Sequence, residues 1–226
     1  MALIPPWYNP TVHLVTPTLI GFAVLVLACS QIHALRPIEL LAIPITLMLG
    51  FGFEWRIHKW VLHKRMPLFG TLYERHELQH HVVYTYDDMA MRSPRERWLV
   101  LMPSYGVVLV ALINTPLTWL VATLFTPNAG FVYLATGMLF FLTYEWLHLS
   151  YHLPKTSFIG RSPIIARLRE LHRRHHDPRL MKQWNFNVTI PVFDWIYRTN
   201  WSPEREREAD LRRAKKLAAR LARRAA

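Results

Sequence analysis

Ten of the twelve histidines fall into four tight clusters: His58 and His63; His76, His80 and His81; His148 and His152; His172, His175 and His176. Imidazole nitrogen suits iron, zinc and copper, and one metal needs three or four protein ligands, so these ten suffice for two metals. On an α-helix, residues four apart share a face. His76 with His80, His148 with His152, and His172 with His176 are therefore each expected to aim two rings at one point. His58 and His63 lie five apart and would diverge on an ideal helix. The helix must end there, bulge, or feed two different metals, and the last is the expectation. His13 and His33 stand outside the clusters and read as ordinary histidines with satisfied hydrogen bonds.

Ten ionisable rings beside a membrane, among many Arg and Lys, are costly unless something holds them neutral, which metal coordination does. Two divalent ions on neutral imidazoles leave uncompensated positive charge, so carboxylates are wanted to orient the rings. Glu54, four before His58, and Glu145, three before His148, sit on suitable helical faces. Glu77 and Asp194 are further candidates, with a salt bridge to a neighbouring Arg as the alternative for each. Thiolate clusters are excluded, because Cys29 is the only cysteine. One rival is specific: His76-Glu77-Leu78-Gln79-His80 fits the H-E-x-x-H pattern of zinc metalloproteases, in which two histidines bind zinc and the Glu activates water. A protease, however, needs one further ligand rather than eight further histidines. Transport histidines belong within the spans at mid-membrane, whereas these lie just beyond apolar runs.

Those runs must position the clusters. The chain is 52% hydrophobic with 9 Trp, which is not the composition of a water-soluble domain. An uncharged run from about Thr18 to Leu35 is long enough for a spanning helix. Residues 1 to 17 carry no Lys or Arg and so lack the basic start of a signal peptide, and the first helix is expected to remain in the mature protein. A second run from Ile38 to Phe53, interrupted by Pro44, leads directly into His58. The third, Trp98 to Phe125, contains Pro103 and Asn114-Thr115-Pro116 and is expected to form one crossing plus a kinked or interfacial piece. The fourth, Phe131 to Trp146, ends just before His148. The expectation is an all-α, integral membrane bundle of about four transmembrane helices, one domain over 1–226, with a histidine-lined helical cap.

If four runs cross, the second and fourth end on the same side and bring all the clusters to one face. Charge agrees: Arg36 is the only one of the 27 Lys and Arg before residue 51, and none lies between Trp98 and Pro154. The basic residues thus flank the histidines, which marks that face as cytosolic and explains the net charge of +12 without nucleic acid. Ser202 to Ala226 reads as a basic terminal helix with Pro203 near its start and acids before bases, a solvated helix by preference over a headgroup-binding one.

Taken together, the boxes resemble those of the fatty acid hydroxylase/sterol desaturase superfamily of membrane oxygenases: His58-x4-His63, His76-x3-His80-His81, His148-x3-His152 and His172-x2-His175-His176. Flanking residues are similar too, in Glu54-Trp55-Arg56-Ile57-His58, in Tyr144-Glu145-Trp146-Leu147-His148, and in the tail Trp184-Asn185-Phe186-Asn187-Val188-Thr189-Ile190-Pro191-Val192-Phe193-Asp194-Trp195. The resemblance covers about residues 50 to 200. It departs where the family's tail has glycine and this chain has Asn187, and where glycine-threonine is replaced by Arg198-Thr199. Asn tolerates the left-handed backbone that glycine supplies, whereas Arg does so less readily.

The resemblance implies all ten clustered histidines as ligands of two iron ions, for which zinc can substitute in preparations, with Glu54, Glu77, Glu145, Asn185 and Asp194 supporting them. It further implies O2 as co-substrate, a separate electron-donor protein, and hydroxylation of a lipid, chiefly a fatty-acyl chain. Carotenoid hydroxylation and sterol desaturation are the alternatives within the superfamily. Lys64, Arg65, Arg92, Arg95 and Arg97 are candidates to hold a polar headgroup, or else follow from ordinary charge topology.

Overall fold

The computed structural model describes residues 4–225, and its regular structure is entirely helical among them. Helix α1, Pro10–Ser30, starts where Asn9 Oδ1 accepts hydrogen bonds from the Thr11 and Val12 amides at 2.9 and 3.1 Å, with Pro10 at the first helical position. A 3₁₀ turn over Pro37–Leu41 leads into α2, Ala42–Ile57, which continues as a π-helical turn over His58–Leu62. Helix α3, Gly70–Arg75, likewise passes through a π turn, His76–His80, into the short α4, His81–Val83. The later helices are α5 (Arg97–Val100), α6 (Gly106–Leu124), α7 (Pro127–Tyr151), α8 (Pro163–His175), α9 (Val192–Ile196) and α10 (Pro203–Ala225).

Four segments are long and apolar enough to cross a membrane: Pro10–Ser30, Pro37–Leu62, Gly106–Leu124 and Pro127–Tyr151. They alternate in direction. The start of α1 lies beside the cap, where His13 Nε2 meets the Met102 carbonyl at 2.7 Å, while α2 and α7 end at the clustered histidines. At the far end the α1–α2 loop meets the start of α7: the His33 amide donates to Asn128 Oδ1 at 3.1 Å, and Glu39 accepts from Thr126 Oγ1 at 2.6 Å and Asn128 Nδ2 at 3.0 Å. Val107, Met138 and Phe141 form a core between α6 and α7 against Ile20 and Val24 of α1, and Leu19, Phe22, Leu112, Ile113 and Trp119 are left exposed on flanks suited to lipid. Gly130 lets α7 approach α6 closely, since a Cβ there would lie 2.7 Å from the Thr118 carbonyl oxygen.

The third apolar run divides differently from expectation. Its break falls at Pro103, and α6 continues unbroken through Pro116. Around that proline Asn114 donates to Val110 O, Thr115 to Ala111 O and Thr118 to Asn114 O, at 2.8 to 2.9 Å, so these polar side chains find partners within the helix rather than in lipid. Helix α10 is exposed along nearly all of its described length, as a solvated terminal helix would be.

Candidate metal centre

All ten clustered histidines are buried, and nine of them form two adjoining groups: His58, His63, His76, His81 and His175; and His80, His152, His172 and His176. Within each group one nitrogen of every ring lies within 4.8 Å of the others. His148 stands at the edge of the second group, its Nε2 3.3 Å from that of His80. The groups touch: the rings of His81 and His176 stack with centroids 4.1 Å apart.

This allocation corrects two expected pairings. His76 and His80 do not share a point, because the π turn between them advances less per residue than an α turn and brings His76 into register with His81 instead. Their Nε2 atoms are 3.1 Å apart. His58 and His63 were expected to feed two metals; the π turn over His58–Leu62 points both into the five-membered group. His172 and His176 do converge, with Nε2 atoms 3.0 Å apart. Each group draws on both halves of the chain, with His175 joining His58, His63, His76 and His81, and His80 joining His152, His172 and His176.

The hydrogen bonds behind the rings fix what the rings present. Nδ1 meets a backbone carbonyl at Phe186 for His58 (2.5 Å), Leu99 for His80 (3.0 Å), Met89 for His152 (2.9 Å), Trp184 for His175 (2.9 Å) and Tyr84 for His176 (2.6 Å). A carbonyl only accepts, so each of these Nδ1 atoms carries the proton and each Nε2 turns a lone pair inward. The Nε2 atoms of His80 and His176, both so fixed, lie 3.1 Å apart. Facing lone pairs at that distance repel unless a cation lies between them. Burial, reinforced by neighbouring rings, also holds His76, His80, His81, His152, His172, His175 and His176 well below the ordinary imidazole range, in the neutral form that ligates metal. The donor set therefore fits two metal ions that accept imidazole.

Of the acids and amides expected to support the rings, Glu77 does so directly, accepting from His63 Nδ1 with Lys182 Nζ 3.0 Å from its other oxygen. Burial opposes its ionisation, but these hydrogen bonds hold its carboxyl below the usual range. Glu54 touches no ring. It accepts from the Val188 and Thr189 amides at 2.5 and 2.9 Å, and Asp194 accepts from those of Phe186 and Asn187 at 3.0 and 2.8 Å. Between them they clamp four consecutive amides of the loop whose Phe186 carbonyl orients His58. Asn185 fastens that loop to Leu171 O and to the Trp201 amide. Glu145 accepts from the Met102 amide at 3.1 Å; its Oε1 is buried without a partner among the described residues.

The tail's departures resolve unevenly. Asn187 has no left-handed backbone, and Asn185 (φ 57°) and Arg198 (φ 56°) do. Arg95 and Arg97, expected as headgroup candidates, instead donate to the Pro5, Tyr8 and Pro10 carbonyls and fasten the amino-terminal segment. Arg65 and Arg92 pair with Glu74 and Asp88, and Lys64 lies over the Trp60 ring. His13 is satisfied by Tyr8 and Met102. Lys182 and the ring-orienting carbonyls were not foreseen. A carbonyl carries no residue signature, so the ring-orienting carbonyls could not have been, and Lys182 is distant in sequence from Glu77.

A solved structure described as full-length scs7p, with only its hydroxylase domain visible, matches with a TM-score of 0.58 at 18% identity, over 84% of this chain. This chain has the fold of that hydroxylase domain. It spans 66% of the scs7p chain. No protein-family model matches the sequence, nor does any curated protein.

Proposed function

We propose that the protein is a membrane-embedded di-iron hydroxylase of lipids in the fatty acid hydroxylase/sterol desaturase superfamily, acting on a fatty-acyl chain. The observation that carries this reading is the pair of adjoining imidazole groups, nine histidines in all, at the cap end of spanning helices. The scs7p hydroxylase likeness and the order of the histidine boxes support it. Iron in such a cage supplies redox chemistry that zinc lacks: O2, two external electrons and two protons convert one C–H bond to C–OH and release one water. The chain's own part is to keep the imidazoles neutral and oriented, exclude water from the buried centre, and admit a lipid chain from between the helices. Electrons would come from a separate donor protein at the cytosolic face, where the basic residues gather. Carotenoid hydroxylation and sterol desaturation would use the same centre. The metalloprotease reading needs His76 and His80 on one ion with Glu77 free to activate water; here the two histidines belong to different groups and Glu77 is engaged by His63 and Lys182.

The test is lipid profiling under 18O2 of cells expressing the wild type or His176→Ala. A hydroxylated lipid carrying 18O only with the wild type supports the reading. Unchanged lipids together with cleavage of a membrane protein would overturn it. Anaerobically purified protein should hold two metals per chain, and His172→Ala should hold fewer.

A further inference from the structure

Between α8 and the loop that follows α7, a cavity of about 220 Å³ is lined by Lys155, Arg169, Glu170 and Arg173 together with Gly160 and Ala166. Arg169 is its unusual feature. Only 4% of the residue is exposed, and one guanidinium nitrogen donates to the Ser150 carbonyl at 3.1 Å. Its Nε is buried with no partner, and no carboxylate pairs with it among the described residues. The nearest acid on the rim, Glu170, is already shared by Arg173 and Arg174, each at 2.8 Å. A buried guanidinium without a counter-charge is an expensive arrangement unless something anionic completes it.

The cavity's own residues are three cations and one carboxylate, a net charge of +2. Arg173 is pre-set, its guanidinium 3.7 Å from the Tyr86 ring centroid and donating to the Tyr86 hydroxyl at 2.8 Å. The wall opposite is the turn at Gly160, whose amide donates to Ser157 Oγ at 3.0 Å and where a Cβ would lie 2.2 Å from the Pro154 carbonyl oxygen. Exposed apolar side chains occur in the same stretch of chain: Phe158, in the loop that carries Gly160, is 94% exposed, and Ile164, at the start of α8, 70%. That loop follows directly on the end of α7, the last of the four helices long and apolar enough to cross a membrane. An oxyanion in the cavity would thus meet Arg169, Arg173 and Lys155 close to the carboxy-terminal end of a spanning helix.

We propose that this cavity binds the phosphate or carboxylate headgroup of a membrane lipid, with Arg169 as the buried anchor and Lys155 and Arg173 at the rim. Arg169 lies one helical turn before His172 on α8, so the headgroup would be held next to the four-histidine group. That the bound lipid is also the one oxidised rests on the hydroxylase reading; the site itself does not.

Native mass spectrometry of the purified full chain in detergent, titrated separately with phosphatidic acid, a long-chain free fatty acid, phosphatidylcholine and inorganic phosphate, tests it. The wild type should retain phosphatidic acid or the fatty acid in preference to phosphatidylcholine. Arg169→Gln and, as a rim variant that leaves the buried contact intact, Lys155→Ala should each weaken that retention, by about tenfold for Arg169→Gln, as expected for one charge-assisted hydrogen bond. Equal retention by the wild type and Lys155→Ala would overturn the proposal. So would inorganic phosphate displacing the acidic lipid at equal concentration, which would mark a site for free anions. Metal content measured on the same samples separates the two readings: acidic lipid retained without metal would sink the hydroxylase and leave the site standing, whereas metal without lipid selectivity would do the reverse.

Discussion

The Glu77 carboxylate accepts the Nδ1 proton of His63, so an acid placed one residue after a clustered histidine in sequence orients a ring from a different helix. Replacing Glu77 by Gln removes the charge that holds that proton on Nδ1 and leaves Lys182 without its partner. Metal affinity of the five-histidine group should fall by about 10- to 100-fold, read by competition with a chelator, with helical content unchanged by circular dichroism. Under the metalloprotease alternative the same substitution would abolish hydrolysis while leaving metal bound, so undiminished affinity would count against the assignment made here.

Asp194 governs His58 from a distance. It is fully buried and accepts from the Phe186 and Asn187 amides and from Thr199 Oγ1, which in turn accepts from Trp55 Nε1 at 2.9 Å. In Asp194→Asn one acceptor oxygen becomes a donor facing another donor. A loss of about 3 kcal/mol is expected, visible as a lower thermal midpoint, together with weaker metal binding as the Phe186 carbonyl drifts from its ring.

Acid should unfold the metal-stripped protein early. Seven of the buried rings outside the spans are held well below 6.5, so the folded state resists protons that the unfolded chain accepts. Stability is therefore fully present above the unfolded imidazole value and is lost as pH falls below it, at up to about 1 kcal/mol per pH unit for each such histidine. Thermal melts of chelator-treated protein between pH 7.5 and about 5 should show a steep decline. A flat profile would mean that the rings are already protonated or exposed in the apo state.

Arg198 occupies a left-handed conformation at φ 56°, which for a non-glycine residue costs about 1 kcal/mol. Among the described residues its side chain makes one polar contact, exposed and at 4.0 Å, with Glu208. Arg198→Gly should therefore raise the thermal midpoint without changing metal content. A lower midpoint would show that the side chain contributes more than its contacts suggest.

Much of the arrangement was legible in the residues. Apolar length located the four crossings, and their parity placed His58 and His148 at one end, because both features are one-dimensional. What escaped was set by backbone geometry. The two π turns carry no side-chain signature, so the sharing of His58, His63, His76 and His80 between the groups could not be read from their spacing. The fate of the third run turned on which of two prolines broke it. Pro116 lies inside α6 without ending it, whereas the chain turns before Pro103, where the Leu99 carbonyl that a continuing helix would have used accepts from His80 Nδ1 instead.

The widened turns also change which mutations this protein can absorb. Trp60 and Leu78 sit in the middle of them and are about half exposed, at 50% and 51%, positions where a substitution would ordinarily pass unnoticed. Deleting a single residue at either place would let the turn close to the regular helical pitch and leave the flanking histidines four apart, still on one face and aimed at the same group, whereas inserting one would rotate every later side chain of that helix by about 100° and swing His63 or His81 away. Spacing, more than side-chain identity, is what those surface positions supply: the chain there should absorb a change of residue type, or even the loss of one residue, but not the gain of one.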